Sequence, residues 1–163
     1  MVAGATPISI EPAPMPTDEV RALVDELENI LAAEYPPEQR HGLALDAIFH
    51  PHIKFFVARL DGVAVGCGGV ALFDGFAELK RMYVREAVRG RGVAPALLAR
   101  LEETARAARL PLLCLETGTN QLAALRFYER EGFRCCGAFG DYAAMPAQAI
   151  ATSIFMEKPL GAG

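Results

Sequence analysis

The sequence predicts an α/β fold in which one mixed β-sheet of about seven strands is flanked by about four helices. Three observations predict this class. Apolar residues recur at the helical period in separate stretches, short β-branched and aromatic runs lie between them, and Asp-Gly pairs at 61–62 and 74–75 separate consecutive runs as hairpin turns do. The chain has 163 residues, 52% of them hydrophobic, so we expect one domain over residues 1–163 with its own core.

The N-terminal third predicts one strand and two helices. ISIE at 8–11 is typical of a short strand, and the apolar spacing that follows predicts a helix with Thr17 or Asp18 as its N-cap. The Tyr-Pro-Pro sequence at 35–37 ends that helix, because proline cannot continue it. A second, shorter helix is expected over 38–49.

The middle of the chain predicts three consecutive antiparallel strands at 53–60, 63–73 and 76–84, joined by the two Asp-Gly turns. A helix follows, with apolar residues at helical spacing from Val93 to Ala108. The apolar run at 111–117 is typical of a strand covered on both faces. This order of strand, helix and strand requires a parallel, right-handed crossover.

The C-terminal part predicts one more helix and two strands. The helix lies within 120–133 and is closed by Gly132, a residue type that commonly follows a helix end. RCCGAF at 134–139 and TSIFMEK at 152–158 are typical of strands, with a loop between them.

Composition excludes several classes of function. The net charge of −4 argues against a nucleic-acid partner, and no run of 18 apolar residues is present to span a membrane. The N-terminus lacks the pattern of a signal peptide, so we expect a cytoplasmic protein with reduced, buried cysteines. The histidines at 41, 50 and 52 lack the spacing of metal ligands, so no metal is expected.

The charge is unevenly distributed along the chain. Residues 80–109 carry 8 Lys/Arg and 3 Asp/Glu, although the whole chain is acidic. Three of these cations, Arg85, Arg89 and Arg91, precede the body of the third predicted helix. A local cationic field in an acidic protein is typical of an anion-binding site.

Two glycines in this segment strengthen that hypothesis. Gly90 and Gly92 let the backbone approach an anion without a Cβ in the way, and the first N–H groups of the following helix have no intrahelical partner. Pro95 donates no hydrogen bond, so it fits only in the first helical turn. The amides from Gly90 to Ala94 are therefore predicted to converge on a diphosphate.

Two nucleotide-binding motifs match this turn poorly. A nucleoside-triphosphate P-loop needs Lys-Ser/Thr after its last glycine, and none follows Gly92. A dinucleotide-binding turn is a stronger rival, because GRGVAP nearly satisfies G-x-G-x-x-G and Glu116 lies where a ribose-binding acid would be. The third glycine is a proline, however, and the preceding strand is a hairpin member.

A third candidate comes from a family resemblance. RGRGVA at 89–94 resembles the Arg/Gln-x-x-Gly-x-Gly/Ala motif of the GNAT superfamily, the acetyl-CoA-dependent N-acetyltransferases. AELKRMYV at 77–84 resembles the strand that precedes this motif in the family, and QLAALRFYEREGF at 121–133 resembles its later helix. LETG before that helix and IFMEKPL near the C-terminus match one bacterial branch of the superfamily.

The resemblance implies a fold and a cofactor site. The fourth and fifth strands would splay apart, and the pantetheine arm of acetyl-CoA would enter the gap and bind the backbone of Met82 and Val84. Asn120 or Gln121 would contact its amides, and the sequence does not choose between them. The implied cofactor-binding residues are Met82, Tyr83, Val84, Arg89, Gly90, Arg91, Gly92, Val93, Ala94, Asn120 and Gln121. A homodimer is common in the family.

The resemblance also implies catalytic roles. Tyr128 would protonate the leaving thiolate, and a backbone N–H near Met82 would stabilise the developing oxyanion. Glu78 is the predicted general base, because it lies four residues before Met82 and so is expected on the same strand face. An ion pair of Glu78 with Lys80 or Arg81 is the competing hypothesis.

The predicted function is transfer of an acetyl group from acetyl-CoA to a primary amine of a small-molecule or peptide acceptor, by direct attack on the thioester. The acidic N-terminal half, together with Asp141 and Tyr142 before the last strand, fits a small cationic acceptor. The alternative is a non-catalytic acyl-CoA-binding regulatory module, and a dinucleotide-binding protein is the third hypothesis.

Overall fold

A computed structural model describes residues 7–161 of the chain. Seven strands form one sheet: β1 (Ile8–Pro12), β2 (Ile53–Leu60), β3 (Val63–Leu72), β4 (Ala77–Val84), β5 (Leu112–Gly118), β6 (Arg134–Cys136) and β7 (Ser153–Pro159). Their order across the sheet is β1-β2-β3-β4-β5-β7-β6. All neighbouring pairs are antiparallel except β4 and β5, which are parallel, so the mixed seven-stranded sheet is confirmed.

Three α-helices, rather than about four, occur in residues 7–161: α1 (Asp18–Glu34), α2 (Val93–Ala107) and α3 (Leu122–Arg130). The prediction of a helix over 38–49 is wrong. Two short 3₁₀ turns, Pro37–Gln39 and Asp46–Phe49, stand there instead. Gly42 lies between them and weakens a helix at that point, and it packs so closely on the Arg81 guanidinium that a Cβ would overlap it.

The sheet is covered on both faces. Thr17 caps α1 by accepting a hydrogen bond from the Val20 amide (3.3 Å), and α1 packs on a cluster that includes Phe55 and Val57. The apolar face of α2 packs on a larger cluster that includes Phe56. Because successive residues of β2 point to opposite faces, α1 and α2 cover opposite faces of the sheet.

The C-terminal elements complete the larger cluster. Gly132, with φ 96°, ends α3 as predicted. The strand expected at 134–139 is only Arg134–Cys136, because Phe139 leaves the sheet and packs edge-on against Tyr142 and Phe155. Within the described residues no helix is long and apolar enough to cross a membrane.

Strands β4 and β5 separate soon after they meet. Their paired residues are Ala77 with Leu113 and Glu78 with Cys114, and no later pair follows within the described residues. A β-bulge then bends β4 at Arg81, whose φ of 53° is left-handed. The predicted splay between the fourth and fifth strands is therefore present.

Candidate active site

Two cavities adjoin the gap between β4 and β5. The larger, which we call the glycine cleft, has a volume of ≈560 Å³ and is lined by the end of β4, the start of α2 and one side of α3. The smaller, which we call the charged cavity, has a volume of ≈160 Å³ and lies between α1, β4, β5 and the loop before β7.

Backbone conformation shapes the mouth of the glycine cleft. Gly90 and Gly92 have φ of 81° and 87°, a left-handed region that disfavours other residues. A Cβ at Gly90 would meet no atom within 4 Å, so this backbone faces open space. Gly92 is the N-cap of α2 and carries no side-chain cap, which leaves the amides of Val93 and Ala94 without an intrahelical acceptor.

The arginines near this turn divide into different roles. Arg89 is exposed and lines the glycine cleft, together with Gly90, Gly92, Val93 and Ala94. Arg85 instead binds Glu26 of α1 (Nη2 to Oε2, 2.7 Å), and so ties α1 to the end of β4. The expectation that Arg85 serves the anion site is therefore wrong. Arg91 is exposed, and it is not among the described residues that line the cleft.

The end of β4 supplies the wall of the glycine cleft. Met82, Tyr83 and Val84 all line it, and all lie beyond the last β4–β5 pair. The expectation that Glu78 shares a strand face with Met82 is wrong. The bulge at Arg81 adds one residue, so Met82 packs with the larger core cluster while Glu78 faces the charged cavity.

A buried hydrogen-bonded triangle forms one wall of the charged cavity. Glu78 is 5% exposed, and its Oε2 accepts from the Tyr142 hydroxyl (2.7 Å) and the Lys80 ammonium (2.9 Å). Lys80 also donates to the Tyr142 hydroxyl (3.0 Å). The ion pair of Glu78 with Lys80, which is the alternative to a role of Glu78 as general base, is present. Burial and the Glu78 charge raise the pKa of Tyr142.

A second carboxylate, Glu116 of β5, lines the same cavity. Burial raises the pKa of this carboxyl, and the opposing effects of His41 and Lys80 are smaller. Sequence reasoning considered Glu116 only as a ribose-binding acid. The signal that could have placed it here is the parallel register, because Glu116 lies two residues beyond the partner of Glu78.

Tyr35, at the end of α1, binds Gln121, which caps the start of α3 and lines both cavities. Its hydroxyl donates to Gln121 Oε1 (2.9 Å) and accepts from the Asn120 amide (2.9 Å). Gly118 makes room for this contact, because a Cβ there would overlap the Tyr35 hydroxyl. Asn120 turns its side chain to Glu34 (3.3 Å), whereas Gln121 lines both cavities, which favours Gln121 as the cofactor contact. No local sequence signal points to Tyr35.

The two cavities meet at residues that line both, namely Leu27, Met82, Gln121 and Tyr128. Tyr128 is 8% exposed, and among the described residues its hydroxyl has no hydrogen-bond partner. Burial raises its pKa, so the phenol is held in its protonated form.

The glycine cleft has the features that a phosphorylated, elongated ligand needs. It combines a glycine turn at a helix N-terminus, a nearby exposed guanidinium and a strand edge open to hydrogen bonding. No group of three or more His, Cys, Asp or Glu among residues 7–161 is placed to hold a metal ion.

Known proteins resemble this chain in both sequence and fold. A model of the acetyltransferase (GNAT) family matches residues 24–133. IAA acetyltransferase of Azospirillum brasilense is 43% identical over 145 residues, which are 88% of this chain and 92% of that protein.

Two solved structures extend the comparison. One from Klebsiella pneumoniae, assigned as an acyl-CoA N-acyltransferase, is 34% identical with a TM-score of 0.73, and the match covers 94% of this chain and 98% of that one. PaiA N-acetyltransferase of Thermoplasma acidophilum, solved in complex with coenzyme A, shares the fold at 17% identity and a TM-score of 0.65, over 93% and 99% of the two chains. This chain therefore belongs to the acetyltransferase (GNAT) family and uses acetyl-CoA as its acetyl donor.

Proposed function

We propose that the protein transfers the acetyl group to a primary amine of a small-molecule or peptide acceptor, which attacks the thioester directly. The observation that carries this proposal is the junction of the two cavities. A donor in the glycine cleft and an acceptor in the charged cavity would meet beside Met82, Gln121 and Tyr128, which line both. Such proximity supplies much of the acceleration of a bimolecular reaction.

The binding residues follow from the cleft. The amides from Gly90 to Ala94, with Arg89, are placed to hold the diphosphate, since N–H groups at a helix N-terminus attract anions. The main chain of Met82 and Val84 and the side chain of Gln121 are placed to hold the pantetheine arm. When bound, acetyl-CoA supplies the acetyl group as an activated thioester.

Tyr128 is the proposed acid. Its phenol stays protonated and lies where the two cavities meet, so it can give a proton to the departing sulfur. A main-chain N–H near Met82, beyond the last β4–β5 pair, is the proposed donor to the charge that develops on the thioester oxygen.

Glu78 remains the proposed base, although it lies on the opposite strand face from Met82. Tyr142 and Lys80 fix its carboxylate at the wall of the charged cavity, where an acceptor amine would enter. A fixed carboxylate can take the proton that the amine loses on attack. Glu116 lines the same cavity and provides a matched comparison.

The proposal is tested by thiol release from acetyl-CoA across a panel of primary amines, followed by pH–rate profiles of Glu78→Gln and Glu116→Gln. We expect Glu78→Gln to lower kcat/KM by about 10²-fold. The deficit should be greatest at low pH, where the amine is hardest to deprotonate. Glu116→Gln, with the same chemical change across the cavity, should cost less.

Three results would count against this account. Binding of acetyl-CoA without transfer to any amine would refute the proposed reaction and support an acyl-CoA-binding module. An unchanged pH–rate profile in Glu78→Gln would remove Glu78 from the mechanism. A changed profile only in Glu116→Gln would move the role of base to β5.

A further inference from the structure

Two arginines in the wall of the charged cavity share one carboxylate. Arg40 Nη1 lies 2.8 Å from Glu28 Oε1, and Arg81 Nη2 lies 2.8 Å from Glu28 Oε2. Both arginines line the charged cavity. Two guanidinium groups therefore converge on a single negative charge.

Each of these arginines also has a buried nitrogen without an acceptor. Arg40 Nε and Arg81 Nη1 are shielded from solvent and lack a hydrogen-bond partner among residues 7–161. The Arg81 side chain is 7% exposed, and its Nε is already bound to the Leu43 carbonyl (3.0 Å). A buried donor without an acceptor is costly, and a charged one more so. Both unfilled donors belong to side chains that line the same cavity.

The other charged residues of the cavity do not supply an acceptor for these two nitrogens. Lys80 is paired with Glu78, so these two charges offset one another. His41 places Nε2 2.7 Å from the Ala149 carbonyl. Glu116 is the remaining carboxylate of the lining, and it forms no ion pair with either arginine among the described residues. The two arginines therefore keep one positive charge in excess.

We propose that the acceptor is an amine that also carries a carboxylate, such as a free amino acid, and that Arg81 and Arg40 receive this carboxylate. The inference rests on the proposed function, since it names the substrate class of the same site. Charge-assisted hydrogen bonds from the two guanidinium groups that line the cavity would hold this carboxylate. The carboxyl group of Glu116, which forms no ion pair with either arginine among the described residues, lines the same cavity and suits the amino end of such a molecule.

This proposal differs from the expectation of a small cationic acceptor. Two acidic residues of α1 are already paired: Glu26 binds Arg85, and Glu28 binds the two arginines. Asp141 is exposed, and within residues 7–161 it is not one of those that line the cavity. The small volume of ≈160 Å³ favours a free amino acid over a long peptide.

The test compares matched acceptors with the wild-type protein. Amino acids are assayed beside their carboxamides and their decarboxylated amines, with acetyl-CoA as donor and thiol release as the readout. We expect kcat/KM to be about 10- to 100-fold higher for the carboxylate form, the range of one or two charge-assisted hydrogen bonds. This comparison needs no variant, so it does not depend on the folding of a mutant.

Variants then assign the preference to residues. Arg81→Gln and Arg40→Gln should reduce the ratio of amino acid to carboxamide to near one, chiefly through KM of the amino acid. Arg59→Gln is the matched control. Arg59 pairs with Glu11 and Glu19 away from both cavities, so its loss should leave the ratio unchanged.

The outcomes separate the two proposals. If amines without a carboxylate react as well as amino acids, the carboxylate inference fails and amine acetylation stands. If no amine of any kind reacts although acetyl-CoA binds, both fail. If amino acids are preferred but Arg81→Gln and Arg40→Gln keep that preference, the assignment to the arginines is wrong.

Discussion

The glycine cleft and the charged cavity share a border but are built in different ways. Main-chain groups form the glycine cleft, namely the glycine turn, the open start of α2 and the end of β4 that has no partner in β5. Side chains form the charged cavity: Glu78 and Lys80 of β4 bind each other and Tyr142, which comes from the loop before β7. A backbone site can serve one cofactor throughout a family, whereas a side-chain site changes with each substitution and so sets the acceptor.

Tyr128 belongs to both regions, and its removal should give the largest effect. Tyr128→Phe should lower kcat by about 10²-fold or more, because the proposed acid is lost, while both KM values change little. Thermal stability should not fall, since the hydroxyl has no partner among the described residues. Steady-state kinetics and thermal melting measure both.

The matched control is Thr104→Val, which removes a hydroxyl that donates to the Arg100 carbonyl (2.8 Å) on α2, outside the lining of both cavities. We expect full turnover and a slightly lower Tm for this variant. Full turnover in Tyr128→Phe would instead show that the thiolate leaves without help from the phenol.

The backbone character of the glycine cleft can be tested at Gly90. Valine at a φ of 81° costs about 1–2 kcal/mol of backbone energy, and its side chain would fill the cradle for the diphosphate. Gly90→Val should raise the Kd for coenzyme A by about 10-fold or more, since the amides can no longer converge on the phosphates. Calorimetric titration measures this change.

Gly62→Val separates strain from binding. Gly62 has φ of 80° in the β2–β3 turn, and a Cβ there also meets nothing within 4 Å. The two variants should lose similar stability, but Gly62→Val should bind coenzyme A normally. Equal Kd values for both would mean that the glycine turn does not hold the diphosphate.

The smallest expected effect concerns the charge of Glu116 in the charged cavity. Burial raises the pKa of Glu116 above its usual 4.5, so the folded state holds its proton more tightly than the unfolded state. This carboxyl therefore costs no stability below pH 4.5 and an increasing amount as the pH rises through its folded pKa. Glu116→Gln should be more stable than wild type by about 1 kcal/mol at neutral pH.

Denaturant unfolding of Glu116→Gln and wild type at several pH values would check this sign. The difference should shrink towards zero as the pH falls below 4.5, the usual pKa of glutamate. A variant that is less stable at neutral pH would mean that the charged carboxylate is favourably paired in the fold.

The sequence could predict the glycine cleft because its determinants are local. Gly90, Gly92 and Pro95 lie within six residues, and their effect on the backbone needs no distant partner. The charged cavity depends on contacts between residues far apart in the chain: Tyr142 and Glu78 are 64 residues apart, and Tyr35 and Gln121 are 86. No spacing rule predicts such pairs. The bulge at Arg81 was equally hidden, and it reversed the expected face of Glu78.

The hydrogen bond between Tyr35 and Gln121 has a consequence for the affinities of the two substrates. Gln121 lines both cavities, so a donor that shifts this side chain also alters the wall that the acceptor meets. Donor and acceptor affinities are then energetically linked, and reciprocity requires each ligand to change the affinity for the other by the same factor. Under the proposed function, the Tyr35 hydroxyl at the end of α1 would contribute to this linkage, because it holds Gln121 at the border of the two cavities.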